Sequence, residues 1–504
     1  MTQQKILEKK NKNKEFINRK FKLQELKKQG FNFPNKFKKK HYFNEIYLKY
    51  NSKNRNELKN NTNKIQTAGR IIQKRIMGKA GFMRLQDSEG EIQIYAKKNS
   101  FTSIKNNFNK FKNLDLGDII GITGTIFKTK THELTINCKK FILLTKALRS
   151  LPEKFHGLVD KNIRYRKRYL DFISNHTLKK NFQIRSQLIS IIRNYMHKKK
   201  FLEVETPMLH NLPGGAIAKP FITHHNSLNK KMYLRIAPEL YLKRLIIGGF
   251  EKIFEINRNF RNEGVSSRHN PEFTMMEIYL AYSNYKYLMK FLENLIKYLS
   301  KKIKKNYIIK YQKNTFNFKQ PFSKLTMQES IVKFNNFIDP KDLKNFDQIK
   351  KIAKKLKLKI KNKWGIGKII TEIFEKTVEK KLIHPTFITE YPIEVSPLAR
   401  QKNGKKNISD RFEFFIGGYE IGNGFSELND PEEQKKRFKM QIEQKKFKEN
   451  KEIKYDKDYI LALEHGMPPT AGLGIGIDRL TMIFTNQKNI KDVIMFPNMR
   501  FIKK

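Results

Sequence analysis

Two alternating stretches separated by a short loop constrain this chain more than any other part of it. Ile253-Phe-Glu-Ile-Asn-Arg-Asn-Phe-Arg261 runs with period two, Asn262-Glu263-Gly264 opens a loop, and the chain returns as Pro271-Glu-Phe-Thr-Met-Met-Glu-Ile-Tyr279. Successive side chains of a strand point to opposite faces, so Glu255, Asn257, Asn259 and Arg261 align on one strand. Phe273, Met275, Glu277 and Tyr279 align on the other. Asn, Arg, Glu and Tyr projected together are costly inside a core unless they bind something polar. A half-exposed hairpin accounts for the same alternation, and on pattern alone it is slightly favoured.

Three further segments carry chemistry. Asp410–Glu427 places Asn423, Phe425 and Glu427 on one strand face, with Glu413 and Glu420 on either side of Gly417-Gly418. A hairpin there brings the two carboxylates together, as Mg²⁺ on a polyphosphate requires, although salt-bridged carboxylates are the competing explanation. In Gly472-Leu-Gly474-Ile-Gly476-Ile-Asp478-Arg479, glycine at every second position strips one strand face, so a flat ligand can lie against backbone. Arg479 then opens a helix. Ile477 replaces the third glycine of a dinucleotide fingerprint, and no GxxxxGK[ST] loop is present. In Phe182–Pro207, an apolar helical stripe (Leu188, Ile191, Ile192, Tyr195) precedes a strand read from Phe201 to Pro207. By itself that pair is packing or a subunit interface.

Composition sets the frame. At 504 residues, with 38% hydrophobic and 12% aromatic residues, the chain has room for roughly three domains and a sizeable core. The net charge of +58 attracts polyanions, yet Lys is spread through almost every segment alongside many Asn, Ile, Phe and Tyr. Genome bias explains that mixture at least as well as an RNA partner does. The single Cys138 excludes an internal disulfide framework and a multi-cysteine zinc site. No apolar run reaches the roughly 20 residues of a membrane span, and MTQQKILEKKNKNKEF lacks a signal-peptide core.

Ahead of those segments, Ile65–Ile76, Gly81–Gln86, Ile92–Ala96, Ile119–Phe127 and Leu134–Leu144 read as five strands. Phe101, Ile104, Phe108 and Phe111 fall at helical spacing after the third strand. That order is expected of an OB-fold, whose second and third strands commonly bind single-stranded nucleic acid.

Together these segments resemble the class II aminoacyl-tRNA synthetases. Phe182–Pro207 is similar to the first motif of that class, Phe260-Arg261-Asn262-Glu263 to its second, and Gly472–Arg479 to its third. The likeness is closest to the bacterial-type lysyl-tRNA synthetase family, through Arg235-Ile-Ala-Pro-Glu239-Leu-Tyr-Leu-Lys243, Phe254–Glu263, His269–Tyr279, Glu420–Asn429 and Ala471–Arg479. It implies an α+β multidomain fold, with an N-terminal OB-fold β-barrel and a catalytic domain on an antiparallel β-sheet flanked by helices. Expected boundaries are a basic helical extension at 1–60, the barrel at 61–148, a linker at 149–165 and the catalytic domain at 166–504, with a mixed helical insertion near 301–385.

The same resemblance implies a ligase that activates L-lysine with ATP to lysyl-adenylate and pyrophosphate, then transfers lysine to the 3′ end of tRNA(Lys). Arg261 would bridge the amino-acid carboxylate and the α-phosphate. Phe273 and Arg479 would sandwich adenine, with Glu263, His269 and Gly474 completing the ATP site. Glu413 and Glu420 would hold Mg²⁺, roughly two or three ions in all. Glu427, hydrogen-bonded by Tyr279, would take the lysine side chain beside Phe425. Gly215 and Glu239 would take the α-amino group, and Asn423 the carboxylate. Arg75, Phe82, Gln93 and Glu133 would read the anticodon. The resemblance further implies a cytoplasmic homodimer, with Pro207 at its interface and no membrane partner. An aspartyl or asparaginyl relative would need a cation at the side-chain end of the pocket, and none of Tyr279, Asn423, Phe425 or Glu427 supplies one.

Overall fold

A computed structural model describes residues 3–59, 62–101, 107–152, 160–449 and 455–500. The chain divides into two compact units, residues 1–176 and 177–504.

In the first unit, strands Ile65–Met77, Ala80–Gln86, Glu91–Lys97, Ile119–Lys128 and Leu134–Thr145 close into a barrel of the OB type. Closure needs the long first strand to serve two neighbours. Its first half pairs with Ile119–Gly124 and its second half with Ala80–Gln86, with a register shift between Ile71 and Gln73. The helix Asn107–Lys112 adds Phe108 and Phe111 to the barrel core, while Ile104, expected on it, lies outside the described residues.

The basic N-terminal segment is less separate than its composition suggests. In the helix Phe43–Tyr50, Phe43, Ile46 and Tyr50 fall on one face, and together with Leu58 they join the barrel core. The helix Gln3–Lys28 is tied down by Arg19, which donates to the Leu116 carbonyl at 2.7 Å. Cys138 is buried in the same core, and burial pushes its thiol up to about 12, so it is inert. The connector expected at 149–165 includes residues 153–159, outside the described residues, and ends in the helix Lys161–Arg166.

The second unit is built on an eight-stranded sheet. From one edge to the other its strands are Ser323–Thr326, Thr386–Thr389, Arg411–Ile416, Tyr419–Ser426, Thr470–Gly476, Glu272–Ala281, Lys252–Phe260 and Leu202–Glu203. The outermost pair at each edge is parallel and the rest are antiparallel. Helices Tyr285–Lys304 and Ile477–Thr485 bury one face, contributing Leu288, Leu292, Leu295, Leu480 and Ile483 to the main core. Between residues 323 and 382, an edge strand and helices Met327–Phe334, Phe346–Lys355 and Ile366–Thr377 enclose a smaller core around Ile331, Ile349, Ile369 and Phe374.

The strand expected from Phe201 to Pro207 is shorter than read. Only Leu202–Glu203 pairs, in parallel with Ile253–Phe254. Beyond Val204 the chain peels away, because the Thr206 hydroxyl turns to donate to Glu255 at 2.7 Å.

Candidate active site

Register aligns the polar residues in two rows across the opposite sheet face. Glu413, Asn423, Gly474 and Glu277 are cross-strand partners in one row, and Arg411, Phe425, Gly472 and Tyr279 in the next. The central strand contributes only glycine to both rows, leaving a trough between walls of longer side chains. That trough is a cavity of about 540 Å³, lined also by Gly215, Glu239, Arg261 and Glu420. Gly472 cannot be replaced freely: a Cβ there would lie 2.0 Å from Glu427 Oε1 and 2.8 Å from the Tyr279 ring. Gly215 closes the other side with φ +82°, a backbone shape that glycine adopts without strain.

At the trough's inner end two carboxylates share one ammonium. Lys243 ion-pairs with Glu239 at 2.7 Å and Glu427 at 2.5 Å, its side chain fully buried and 5.5 Å over the Phe425 ring. Oε1 of Glu427 carries no hydrogen bond among the described residues. Burial pushes the Glu427 carboxyl well above the usual range, with Lys243 pulling the other way. Burial works to lower the Lys243 ammonium, but Glu239 and Glu427 outweigh it and hold it above its ordinary value. Glu277 is pushed up to about 8, by burial first and by Glu239 next. Neighbouring Glu255, by contrast, is satisfied by Arg235 at 2.7 Å and by Thr206.

Two sequence expectations change here. Tyr279 was expected to bond Glu427; its hydroxyl instead donates to Glu277 at 3.1 Å, two residues away on the same strand face. The side-chain end of the pocket was expected to lack a cation, yet Lys243 supplies one. It is neutralised by the two carboxylates that clamp it, so it offers no free charge to an acidic amino acid.

Beside the trough, a cavity of about 180 Å³ is lined by Arg261, Glu263, His269, Phe273, Gly474 and Arg479, with Glu420 and Asn423 at its junction with the trough. The Arg261 guanidinium stands 5.1 Å from the Phe273 ring centre, and its buried Nε has no partner among the described residues. Burial lowers the pKa of Arg261, opposed by Glu420, Glu263 and Glu277. Arg479 donates to the Glu420 carbonyl at 2.8 Å and to its carboxylate at 3.0 Å. His269 meets the Ser266 hydroxyl at 3.0 Å, and burial, reinforced by Arg479, depresses its pKa toward the neutral imidazole.

Glu413 accepts from Tyr391 at 2.9 Å and Arg411 at 2.6 Å, yet burial and then Glu420 push it up to about 7. Two oxygen donors that repel one another suit a hard divalent cation whose remaining ligands come from phosphate. Among the described residues there is no cluster of three or more His, Cys, Asp or Glu arranged to hold a metal by themselves. Asn423 Oδ1 accepts from Arg411 Nε at 3.1 Å, which orients its amide toward the trough.

In the barrel unit, register puts Arg75, Phe82 and Tyr95 in one row, and Arg84, Gln93, Thr135 and Phe127 in the next. Phe82, Tyr95 and Phe127 form a chain of rings, with centroid separations of 4.8 and 5.9 Å. Gln93 donates to Thr135 at 3.0 Å, Arg84 pairs with Glu133, and Arg75 is exposed.

Several residues at these sites were not singled out from sequence. Glu277 shares the parity of Tyr279 and was visible on the strand, but nothing local gave it a role. Lys243 is four residues after Glu239 on one helix, a spacing that signals an ion pair. Tyr95 and Phe127 have the parity of Phe82 and Gln93. Arg411 has the parity of Glu413 two residues on, but nothing local gave it a role, and Tyr391 left no signal, because only the fold brings it to Glu413.

Residues 160–500 match the family described as tRNA synthetases class II (D, K and N), and residues 65–144 match the OB-fold nucleic acid binding domain. Over 99% of both chains, the sequence is 61% identical to a lysine–tRNA ligase of Buchnera aphidicola subsp. Cinara cedri. It is 59% identical to that of Buchnera aphidicola subsp. Acyrthosiphon pisum and 54% identical to that of Escherichia coli K12, each over 97% of both chains.

Proposed function

The chain belongs to the class II lysine–tRNA ligases, enzymes that join lysine to tRNA(Lys) at the expense of ATP, and from that premise we propose how its residues divide the work. The lysine side-chain ammonium is taken by Glu427, and the α-ammonium by Glu239, Glu277 and the Gly215 backbone. The carboxylates support this reading: Glu239 and Glu427 clamp the one ammonium of Lys243 while Glu277 stands near Glu239, an arrangement that a substrate carrying two ammonium groups complements. An unpaired buried charge is prohibitive, so the empty site is poised for ammonium and hostile to carboxylate side chains.

Arg261 and Asn423 hold the substrate carboxylate against the α-phosphate, where it attacks in line and expels pyrophosphate. The unpartnered Nε of Arg261 supports that role, being a donor already desolvated and waiting for an anion. Phe273 and Arg479 bracket adenine, and neutral His269 and Glu263 contact the nucleotide. The strand glycines let it approach. Glu413 and Glu420 would hold Mg²⁺, roughly two or three ions in all, which would supply charge neutralisation to the phosphates. No side-chain nucleophile takes part.

The barrel face reads the anticodon, with Phe82 as the stacking platform and Arg75, Gln93 and Glu133 at base edges. The active form is a homodimer joined near Pro207, a reading supported by the exposed Leu202, Met208 and Leu209 beside the short edge strand. No helix of the described residues is long and apolar enough to cross a membrane, which is compatible with a cytoplasmic site of action.

ATP–pyrophosphate exchange with a panel of amino acids tests the pocket. Lysine alone should support rapid exchange, and Glu427→Gln should abolish that preference. Exchange with aspartate would overturn the assignment.

A further inference from the structure

Lys243 performs no step in the scheme above. Neither it nor Glu427 lines the cavity: Lys243 touches Glu239, which does, at 2.7 Å, and the buried Glu427 at 2.5 Å. It stands one helical turn from Glu239 on the helix Glu239–Ile247, so its ammonium is fixed relative to that carboxylate whether the site is empty or full. The Phe425 ring, 5.5 Å away, closes another side. A substrate in the trough meets Glu239 directly, while Lys243 and Glu427 are buried outside the cavity lining.

We propose that Lys243 is a specificity-determining residue, a resident ammonium that aims Glu239 and Glu427 so that the site takes an amino acid carrying a second cation and refuses neutral side chains of the same length. Without it, Glu239 and Glu427 would lie close together with no ion-pair partner among the described residues. Carboxylates so placed cannot all ionise, and they would take up protons instead. Protonated, they would become neutral hydrogen-bonding groups. Such groups discriminate weakly between an ammonium and a methyl terminus, whereas a fixed charge left unpaired rejects the methyl strongly. Lys243 is thus a positioning residue: it acts through Glu239 and Glu427 and never contacts the reacting atoms.

The inference rests on the placement of the lysine side chain at Glu427, and one set of exchange assays separates the two. In pyrophosphate exchange, Lys243→Gln should raise the KM for lysine about 30-fold, change kcat much less and leave the KM for ATP alone. The preference for lysine over 2-aminoheptanoate, in which a methyl replaces the ammonium, should fall by a similar factor. Lys243→Arg, which retains the charge, should keep most of that preference. Wild-type KM and preference in Lys243→Gln would overturn the inference, as would a Lys243→Arg enzyme that discriminates no better than Lys243→Gln. If Lys243→Gln does not fold, Lys243→Arg decides: preference retained supports the charge role, and preference lost in a folded enzyme overturns it. If Glu427→Gln abolishes the preference while Lys243→Gln keeps it, only this inference fails. If Glu427→Gln keeps it, the reading of the pocket fails with it.

Discussion

The trough of the second unit and the outer face of the barrel address different recognition problems with different physics. In the trough, charge is sealed in: Lys243, Glu239, Glu277 and Glu427 are all buried, and their balance is set before a ligand arrives. On the barrel, Phe82, Tyr95 and Phe127 are only half-buried and Arg75 is exposed. Exposed ion pairs contribute little, whereas stacking on an aromatic ring is worth about 1–3 kcal/mol per base. A buried charge that loses its partner costs about 3–5 kcal/mol. The trough should therefore show large, all-or-none variant effects, and the barrel face graded ones.

The largest effect is expected at Arg261. Arg261→Ala should reduce the exchange rate about 10³-fold or more, because a preorganised, water-free donor at the developing charge is lost. Single-turnover adenylate formation measures this directly, and a loss below tenfold would remove Arg261 from the transition state. Next is Glu427→Gln, which should lower kcat/KM for lysine about 10²-fold while filter-binding affinity for tRNA stays at the wild-type value. Gly472→Ala probes the same carboxylate sterically. Its Cβ would sit 2.0 Å from Glu427 Oε1, so the carboxylate must move, and a displacement of about 1 Å is worth up to about 10²-fold in KM for lysine. A Gly472→Ala enzyme with normal KM would mean that Glu427 is not where the substrate needs it.

How much of this was legible in sequence follows the same division. The five barrel strands matched their pattern to within a residue or two, because period-two alternation with turn residues is a local signal. The rows of the trough were half legible. Parity put Glu277 and Tyr279 together on one strand, and Asn423, Phe425 and Glu427 on another, but parity cannot say which strands are neighbours. The Tyr279–Glu277 and Lys243–Glu239 pairs are local, but whether Tyr279 or Lys243 reaches Glu427 depends on segments far apart in sequence. The Phe201–Pro207 strand was overread, since nothing local reveals that Thr206 turns toward Glu255. The helix Phe43–Tyr50 was read as part of a charged extension because lysine dominates the segments around it, although its Phe43, Ile46 and Tyr50 reach the barrel core.

On the barrel the expected effects are smaller. Phe82→Ala should raise the KM for tRNA in aminoacylation about tenfold, with lysine-dependent pyrophosphate exchange unchanged. Equal loss in both assays would break the separation between the two regions.

The gentlest test varies only pH. Glu277 is raised from its ordinary range to about 8 by burial and Glu239, so in the empty site it is mostly protonated at pH 7. Binding an ammonium requires the carboxylate. Below pH 8 each binding event must release that proton, and lysine affinity weakens as pH falls, by at most about tenfold per unit. At and above pH 8 the carboxylate is increasingly ionised without the substrate, and the dependence flattens. The KM for lysine should therefore fall between pH 6.5 and 8 and level off beyond, while the KM for ATP follows a different course. Glu277→Gln has no proton to release at that position, so it should bind lysine more weakly and with a shallower slope. A wild-type KM that is flat from pH 6.5 to 8 would mean that Glu277 is already charged in the empty site. The trough would then hold a full two-charge deficit at neutral pH, and its contrast with the barrel face would be sharper still.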